Sequence, residues 1–247
     1  MCGIAGVLTT EAAPGLAAEG AARMARALLH RGPDDRGEWV SRDGGSAFVN
    51  TRLAIIDPTP AGRQPMSIDN GRLTVTFNGE IYNFVELRQE LEARGVIFHS
   101  RADTEVLLRA YDAFGERCVE RLRGMFAFAI WDARARTCLL ARDRLGIKPL
   151  SYSLSGNRLV FASELRALLA SGLVPPDVDP TSAYEYFRTG SVPEPRTLLA
   201  GARVLEAGHL ATWKNGAFDE RPYFDLSFEP AITPDDAAAR TREALVD

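Results

Sequence analysis

The chain has 247 residues, and 29 basic side chains against 33 acidic ones leave a formal charge of -4. Apolar residues make up 46%, enough for a core without staples, and the near balance of charge excludes both a disordered chain and the basic footprint of a nucleic-acid binder. At about 150 residues per domain the length allows one large domain or two small ones.

Cys2, Cys118 and Cys138 are too few and too scattered for a disulfide framework or a zinc site, so a reducing cytoplasm is the expected compartment. The opening MCGIAGVLTT lacks the positive flank and the length of a signal peptide, and no apolar run approaches the ~18 residues of a membrane span.

Residues 2 to 9 form an almost continuous apolar run, which predicts a strand buried on both faces. An alanine-rich helix is expected over Ala17–Leu29, stopped by His30-Arg31-Gly32-Pro33. Strands follow at Glu38–Ser41, Ser46–Asn50, Leu53–Ile56 and Leu73–Phe77, with a proline-rich loop over Asp57–Met66. Phe84, Leu87 and Leu91 fall at helical spacing, as do Val106, Leu107, Ala110, Tyr111 and Phe114. Met125–Trp131 and Thr137–Ala141 read as a hairpin turning at Asp132–Arg136. Strands at Pro149–Leu154 and Arg158–Ala162 precede a short helix at Glu164–Ala170.

After Ser171 the prolines multiply, and only Tyr184–Phe187, Arg203–Leu205 and Leu210–Trp213 read as structured. Residues 228 to 233 resemble a linker, and Thr233-Pro234-Asp235-Asp236 is a good helix start, for a helix that runs to the last residue. Strands and helices come in runs rather than alternating, which predicts a layered α+β fold.

Cys2 is the sharpest chemical feature. Methionine before a small second residue is commonly removed, which would leave one residue holding both a thiol and an α-amine. With a reference pKa near 7.7–8.0 the amine is partly neutral at pH 7 and could activate the sulfur, making a nearby histidine unnecessary. An isolated Met-Cys start reads first as a packed structural cysteine on a strand or as chance.

Its company decides the matter. The chain continues with His30-Arg31-Gly32-Pro33-Asp34, Arg52-Leu53-Ala54-Ile55-Ile56-Asp57, Asn78-Gly79-Glu80-Ile81-Tyr82-Asn83 and Asp103-Thr104-Glu105-Val106. Gly124-Met125-Phe126-Ala127-Phe128-Ala129, Arg142-Asp143-Arg144-Leu145-Gly146-Ile147-Lys148-Pro149-Leu150 and Ala162-Ser163-Glu164-Leu165 follow in order. This set resembles the class II glutamine amidotransferase domain of glutamine-hydrolysing asparagine synthetases, over residues 2 to about 225.

The resemblance implies a four-layer αββα sandwich of the N-terminal-nucleophile hydrolase type, spanning residues 2–227. Residues 228–247 would be a linker and the first helix of an absent synthetase domain. It implies Cys2 as nucleophile on the side-chain amide of L-glutamine, with Asn78 and the Gly79 N–H as oxyanion donors. Arg52 would hold the glutamine carboxylate, Asp103 with Glu80 its ammonium, and Leu53, Ala54, Ile55 and Ile56 would line the pocket. On its own, Asn78-Gly79 reads as a tight turn after the Leu73–Phe77 strand.

Ammonia would pass to a synthetase domain, where ATP and magnesium are expected; this chain needs no metal or cofactor of its own. No Ser-Gly-Gly-x-Asp-Ser run occurs, and the basic residues around Gly146 match neither GxxxxGK[ST] nor GxGxxG. His30, His99 and His209 lack metal-ligand spacing, and packing is the reading for Cys118 and Cys138. Two departures stand out: Ser151 precedes Tyr152 after Lys-Pro-Leu, and Asn50-Thr51 stands where a histidine often precedes the pocket arginine.

The alternatives are a domain serving specialised amide, amino-sugar or purine synthesis, or a silent binding module of the same fold. A homodimer stays open.

Overall fold

Alternation along the strands sets the architecture of the computed structural model, which describes residues 1–11, 13, 15–227 and 234–246. The chain runs β1 (Gly3–Thr9), α1 (Leu16–Ala27), β2 (Asp35–Val40), β3 (Ser46–Arg52), β4 (Met66–Ile68) and β5 (Leu73–Ile81). It continues through α2 (Phe84–Ala93), α3 (Asp103–Phe114), α4 (Cys118–Arg121), β6 (Gly124–Asp132), β7 (Thr137–Arg142), β8 (Ser151–Ser155) and β9 (Arg158–Ala162). The last elements are α5 (Leu165–Ala170), α6 (Pro180–Thr189), β10 (Arg203–Val204), β11 (His209–Lys214), β12 (Ala217–Pro222) and α7 (Pro234–Val246).

Two six-stranded sheets form, in the orders β10-β8-β9-β1-β3-β2 and β12-β11-β7-β6-β5-β4. Ile4, Leu8, Phe48, Leu159 and Phe161 of the first sheet meet Ala127, Ala129, Trp131, Cys138 and Leu140 of the second in one buried layer. The alternate residues point outwards. Ala5, Val7, Ala47, Val49, Val160 and Ala162 pack on Ala17, Ala21, Met24, Ala25 and Leu28 of α1, and on Ala167 and Leu168 of α5. Phe126, Phe128 and Ile130 pack on Leu87 and Leu91 of α2, Val106 and Leu107 of α3, and Cys118 and Val119 of α4. Both faces of β1 and β6 are therefore buried, and the layers are the expected αββα sandwich.

Polar groups also tie the sheets together. The Thr76 hydroxyl on β5 donates to the Val49 carbonyl on β3 at 3.0 Å, and Asn50 Nδ2 donates to the Phe77 carbonyl at 3.3 Å. Thr74, Thr76 and Asn78 share the inter-sheet face of β5, all buried, so the strand's period carries Asn78 into the gap between the sheets.

The structure corrects four expectations. Leu53–Ile56 is loop rather than strand: β3 ends at Arg52, and the next N–H groups are taken by Cys2 Sγ and Asp34 instead of a neighbouring strand. Asn78-Gly79 is no turn, because β5 runs through it, pairing Asn78 with Ala127 and Gly79 with Phe126. The proline-rich loop closes with a short strand at Met66–Ile68 that pairs with β5. Beyond Ser171 there is more order than the prolines suggest: Asp179 caps α6 by accepting from Thr181 and Ser182, and β12 pairs along β11. The expected linker over 228 to 233 lies outside the described residues. The helix expected after it is present as α7, and among the described residues no helix is long and apolar enough to cross a membrane.

Gly6 on β1 leaves room for the rings of its cross-strand neighbours Phe48 and Phe161. A Cβ there would meet the Phe161 ring at 2.5 Å and the Phe48 ring at 2.8 Å. Gly6→Ala is expected to destabilise the domain by about 1–3 kcal/mol through overpacking, read as a lower midpoint in urea denaturation.

Candidate functional site

The residues around Cys2 are gripped from several sides. Arg31 Nε donates to the Cys2 carbonyl at 2.9 Å, and its Nη1 donates to Glu164 at 2.9 Å. The Ile4 N–H donates to Ser163 Oγ at 3.0 Å, and the Ser163 N–H returns a bond to the Ile4 carbonyl at 2.9 Å. Asp34 accepts the Ala54 N–H at 2.8 Å and donates its own N–H to the Arg52 carbonyl at 3.0 Å. The His-Arg-Gly-Pro-Asp and Ala-Ser-Glu-Leu runs thus act structurally, fixing the first residues of β1 against the loop after β3. Thr51, at one of the departures, donates to the Leu28 carbonyl at 3.0 Å.

Cys2 Sγ lies 3.5 Å from the Leu53 N–H and 3.7 Å from the Leu53 carbonyl. Burial pushes the thiol above its ordinary value; the Leu53 hydrogen bond, the N-terminal ammonium and Arg52 pull it down, and Asp103 adds to the rise. The sulfur opens on a cavity of about 170 Å³ shared with Arg52, Leu53, Ile55, Ile56, Asn78, Gly79, Glu80 and Asp103. Of the residues predicted from sequence, Ala54 is outside this lining, its N–H turned to Asp34. A larger cavity of about 760 Å³ lies between Trp39 and Arg136 and contains none of the motif residues.

Asn78 is 1% exposed, and its Nδ2 is buried without a hydrogen-bond partner. A donor left free inside a protein is unfavourable, so it is fitted to an acceptor that arrives from outside. Gly79 beside it admits no side chain, since a Cβ would collide with the Met125 carbonyl and lie 2.7 Å from Phe126 Cα.

Arg52 is 7% exposed and forms no ion pair with a described residue; one Nη donates to the Asp57 carbonyl. Asp57 itself accepts from the Thr59 hydroxyl at 2.5 Å and from the N–H groups of Arg101 and Thr59 at 2.9 and 3.0 Å, and these bonds, the hydroxyl's above all, hold its carboxyl below the usual range. Gly62 leaves room for the guanidinium: a Cβ there would strike Arg52.

Asp103 opens α3, and its Oδ2 accepts the Ile81 N–H at 3.1 Å with no cation paired to it among the described residues. Burial raises its pKa to about 6 against the Ile81 and Thr104 hydrogen bonds, and the negative charge of Glu80 adds to the rise. The cavity therefore presents an unpaired guanidinium, an unpaired carboxyl, a thiol and a free amide donor. That set is complementary to a zwitterionic amino acid bearing a side-chain carbonyl.

Sequence reasoning missed Gln64, Thr104, Met125 and Lys148, which also line the cavity. Gln64 joins its walls: its Oε1 accepts the Phe77 N–H at 2.7 Å and Asn50 Nδ2 at 3.2 Å, and its Nε2 donates to Thr104 Oγ1 at 3.4 Å. The burial of a glutamine from a proline-rich loop leaves no periodic signal. Lys148 belongs to the Arg142–Leu150 run, and nothing in its spacing marks it as a cavity residue. Cys118 and Cys138 are packed in the core, as expected, and burial raises the Cys118 thiol to about 12.

Asp103 gives this site a pH signature. Its carboxyl binds a proton more tightly when folded, so the stability of the free protein falls as pH rises from about 4 to about 6. Asp103→Asn is expected to raise stability at pH 7 by about 2–3 kcal/mol, seen in denaturation midpoints, and to abolish binding of an α-ammonium. In the native protein, amino-acid binding is expected to weaken as pH falls through about 6, where Asp103 loses its charge.

A glutamine amidotransferase domain family matches residues 1–224. "Asparagine synthetase [glutamine-hydrolyzing] 1" of Bacillus subtilis is 38% identical, over 100% of this chain and 39% of its own length. "Amidase chry2" of Gibberella zeae is 33% identical, over 84% of this chain and 30% of its own. The chain thus spans well under half of the curated relatives it matches. Among solved structures, a B. subtilis glutamine phosphoribosylpyrophosphate amidotransferase aligns with a TM-score of 0.65 at 21% identity, over 90% of this chain and 49% of that one, a likeness of fold. Taken with five motif runs that line one cavity and two that fix Cys2 beside it, these matches place the chain in the glutamine amidotransferase domain family, alongside the domains found in asparagine synthetases.

Proposed function

We propose that this domain hydrolyses L-glutamine to L-glutamate and ammonia through a thioester on Cys2. The observation that carries the reading is the free Nδ2 of buried Asn78 in the same cavity as the Cys2 thiol, with Arg52 and Asp103 unpaired around them.

Arg52 takes the α-carboxylate in a bidentate pair, and Asp103 with Glu80 takes the α-ammonium, which leaves the side-chain amide facing Cys2. Once Met1 is removed, the Cys2 α-amine accepts the thiol proton and the thiolate attacks the amide carbon. Asn78 Nδ2 and the Gly79 N–H donate to the resulting oxyanion. Collapse of that intermediate breaks the C–N bond, the α-ammonium returns its proton to the departing nitrogen, and ammonia leaves. Water then attacks the thioester, giving its proton to the amine; the C–S bond breaks, glutamate departs and the thiol is restored.

These steps use only groups of this chain. In the full reaction the ammonia goes to a synthetase domain that uses ATP and magnesium to make asparagine from aspartate, within a reducing cytoplasm. Relatives named as asparagine synthetases and as amidases share the domain, so the acceptor is chosen outside it.

The test is intact mass to establish Met1 removal, followed by glutamate release from glutamine. Protein starting at Cys2 is expected to release glutamate, and Cys2→Ala to release none. Absence of both turnover and covalent trapping in protein lacking Met1 would overturn the reading. Because Asn78 Nδ2 bonds nothing in the free fold, Asn78→Ala is expected to lower kcat by about 10²–10³ while leaving the melting temperature unchanged.

A further inference from the structure

The turn between β7 and β8 is held from inside by two buried charges. Arg142 donates to the carbonyls of Gly146, Lys148 and Leu205 at 2.7, 2.9 and 2.8 Å and pairs with Glu194 at 2.8 Å. Asp143 accepts the N–H groups of Leu145, Ile147 and Lys148 at 3.1, 3.0 and 2.9 Å. Both groups of this scaffold have their partners. Lys148 differs: it is 6% exposed, it lines the cavity that holds Cys2, and its ammonium makes no hydrogen bond or ion pair with a described residue. A cation at the cavity wall with no ion pair of its own is available to negative charge that appears in the cavity.

The scaffold fixes where the Lys148 backbone stands. The same Oδ2 of Asp143 that takes the Lys148 N–H also takes the Phe126 N–H, at 3.1 Å, and Phe126 is the strand partner of Gly79. One carboxylate oxygen thus registers Lys148 against the Asn78–Gly79 wall, whereas Arg52 enters from the end of β3. A zwitterionic substrate answers Arg52 with its carboxylate and Asp103 and Glu80 with its ammonium, and Asp57 is held by backbone N–H groups. Arg52 and Lys148 equal Asp103 and Glu80 in number, so the occupied cavity is near neutrality, and Lys148 is the cation left to meet negative charge that develops on the reacting amide.

We propose that Lys148 stabilises the oxyanion formed when Cys2 attacks the glutamine side chain, as a fixed positive charge beside the Asn78 and Gly79 donors. This rests on the glutaminase reading above. As the C–S bond forms, the carbonyl π pair moves onto oxygen; as the C–N bond breaks, the pair returns and ammonia leaves with the proton from the α-amine. Lys148 keeps its proton throughout. A fixed cation acts on the charged intermediate far more than on the neutral amide, so its effect falls on kcat rather than KM.

The experiment compares Lys148→Met, Lys148→Gln and Lys148→Arg in protein lacking Met1, measuring steady-state glutamine hydrolysis and, separately, the rate at which iodoacetamide alkylates Cys2. Both neutral variants are expected to lower kcat about tenfold or more with KM and alkylation within about twofold of wild type, and Lys148→Arg to recover most of the loss. The proposal is overturned if the neutral variants keep kcat within about twofold of wild type, if alkylation falls in parallel with turnover, or if Lys148→Arg is as slow as the neutral variants. A wild type that alkylates at Cys2 yet leaves glutamine intact would instead overturn the glutaminase reading, and this proposal with it.

Discussion

The hydrogen bond from Arg31 to the Cys2 carbonyl is the constraint on which the site depends. A residue next to a chain terminus has few neighbours and frays by default. Here its carbonyl is held by a guanidinium that Glu164 in turn orients, and Ser163 closes a two-way bond with Ile4 two residues on. Glu164 also meets His30 at 2.9 Å; burial pushes its carboxyl up, and the hydrogen bonds with Arg31 and His30 outweigh it and hold the carboxyl below the ordinary value. The sulfur is thereby delivered to the gap between two sheets, at the same end as Asn78.

That gap exists because the inner faces of the strands carry opposite demands at their two ends. Towards the middle, Phe48, Phe161 and Trp131 fill it against small partners such as Gly6, Ala127 and Ala129. Towards the Cys2 end the filling becomes polar: Thr76, Asn50 and Gln64 tie sheet to sheet and to α3. Past them Arg52, Asp103 and Lys148 have no ion pair among the described residues, the Asn78 amide nitrogen has no acceptor, and all four line a cavity instead. Stability is given up locally, since an ionised Asp103 and a free Asn78 amide are both unfavourable in the empty fold. The same features pre-organise the cavity for a ligand that carries the missing charges.

Much of this was legible in the sequence because the buried strands repeat with period two and the motif runs cluster in space. Cys2, Arg52, Asn78, Gly79, Glu80 and Asp103 come from four separate stretches, the N-terminal residues, β3, β5 and α3, yet they line one cavity. What escaped was set by tertiary partners. Leu53–Ile56 has strand-forming residues but lost its ladder to Cys2 and Asp34, and Asn78-Gly79 has turn-forming residues but lies in register with Ala127 and Phe126. Gln64 and Lys148 carry no periodic signature; their place is fixed by Phe77 and Thr104 in one case and by Asp143 in the other.

The central claim is that Cys2, held by Arg31, is a nucleophile aimed at the side-chain carbonyl of a bound glutamine. Its most direct measurement is peptide mass mapping of protein lacking Met1 after exposure to a glutamine analogue with an electrophilic γ-carbon. One label per chain on Cys2, none on Cys118 or Cys138, and protection by L-glutamine is the predicted result. Labelling that spares Cys2, or that proceeds at the same rate with glutamine in excess, would contradict it.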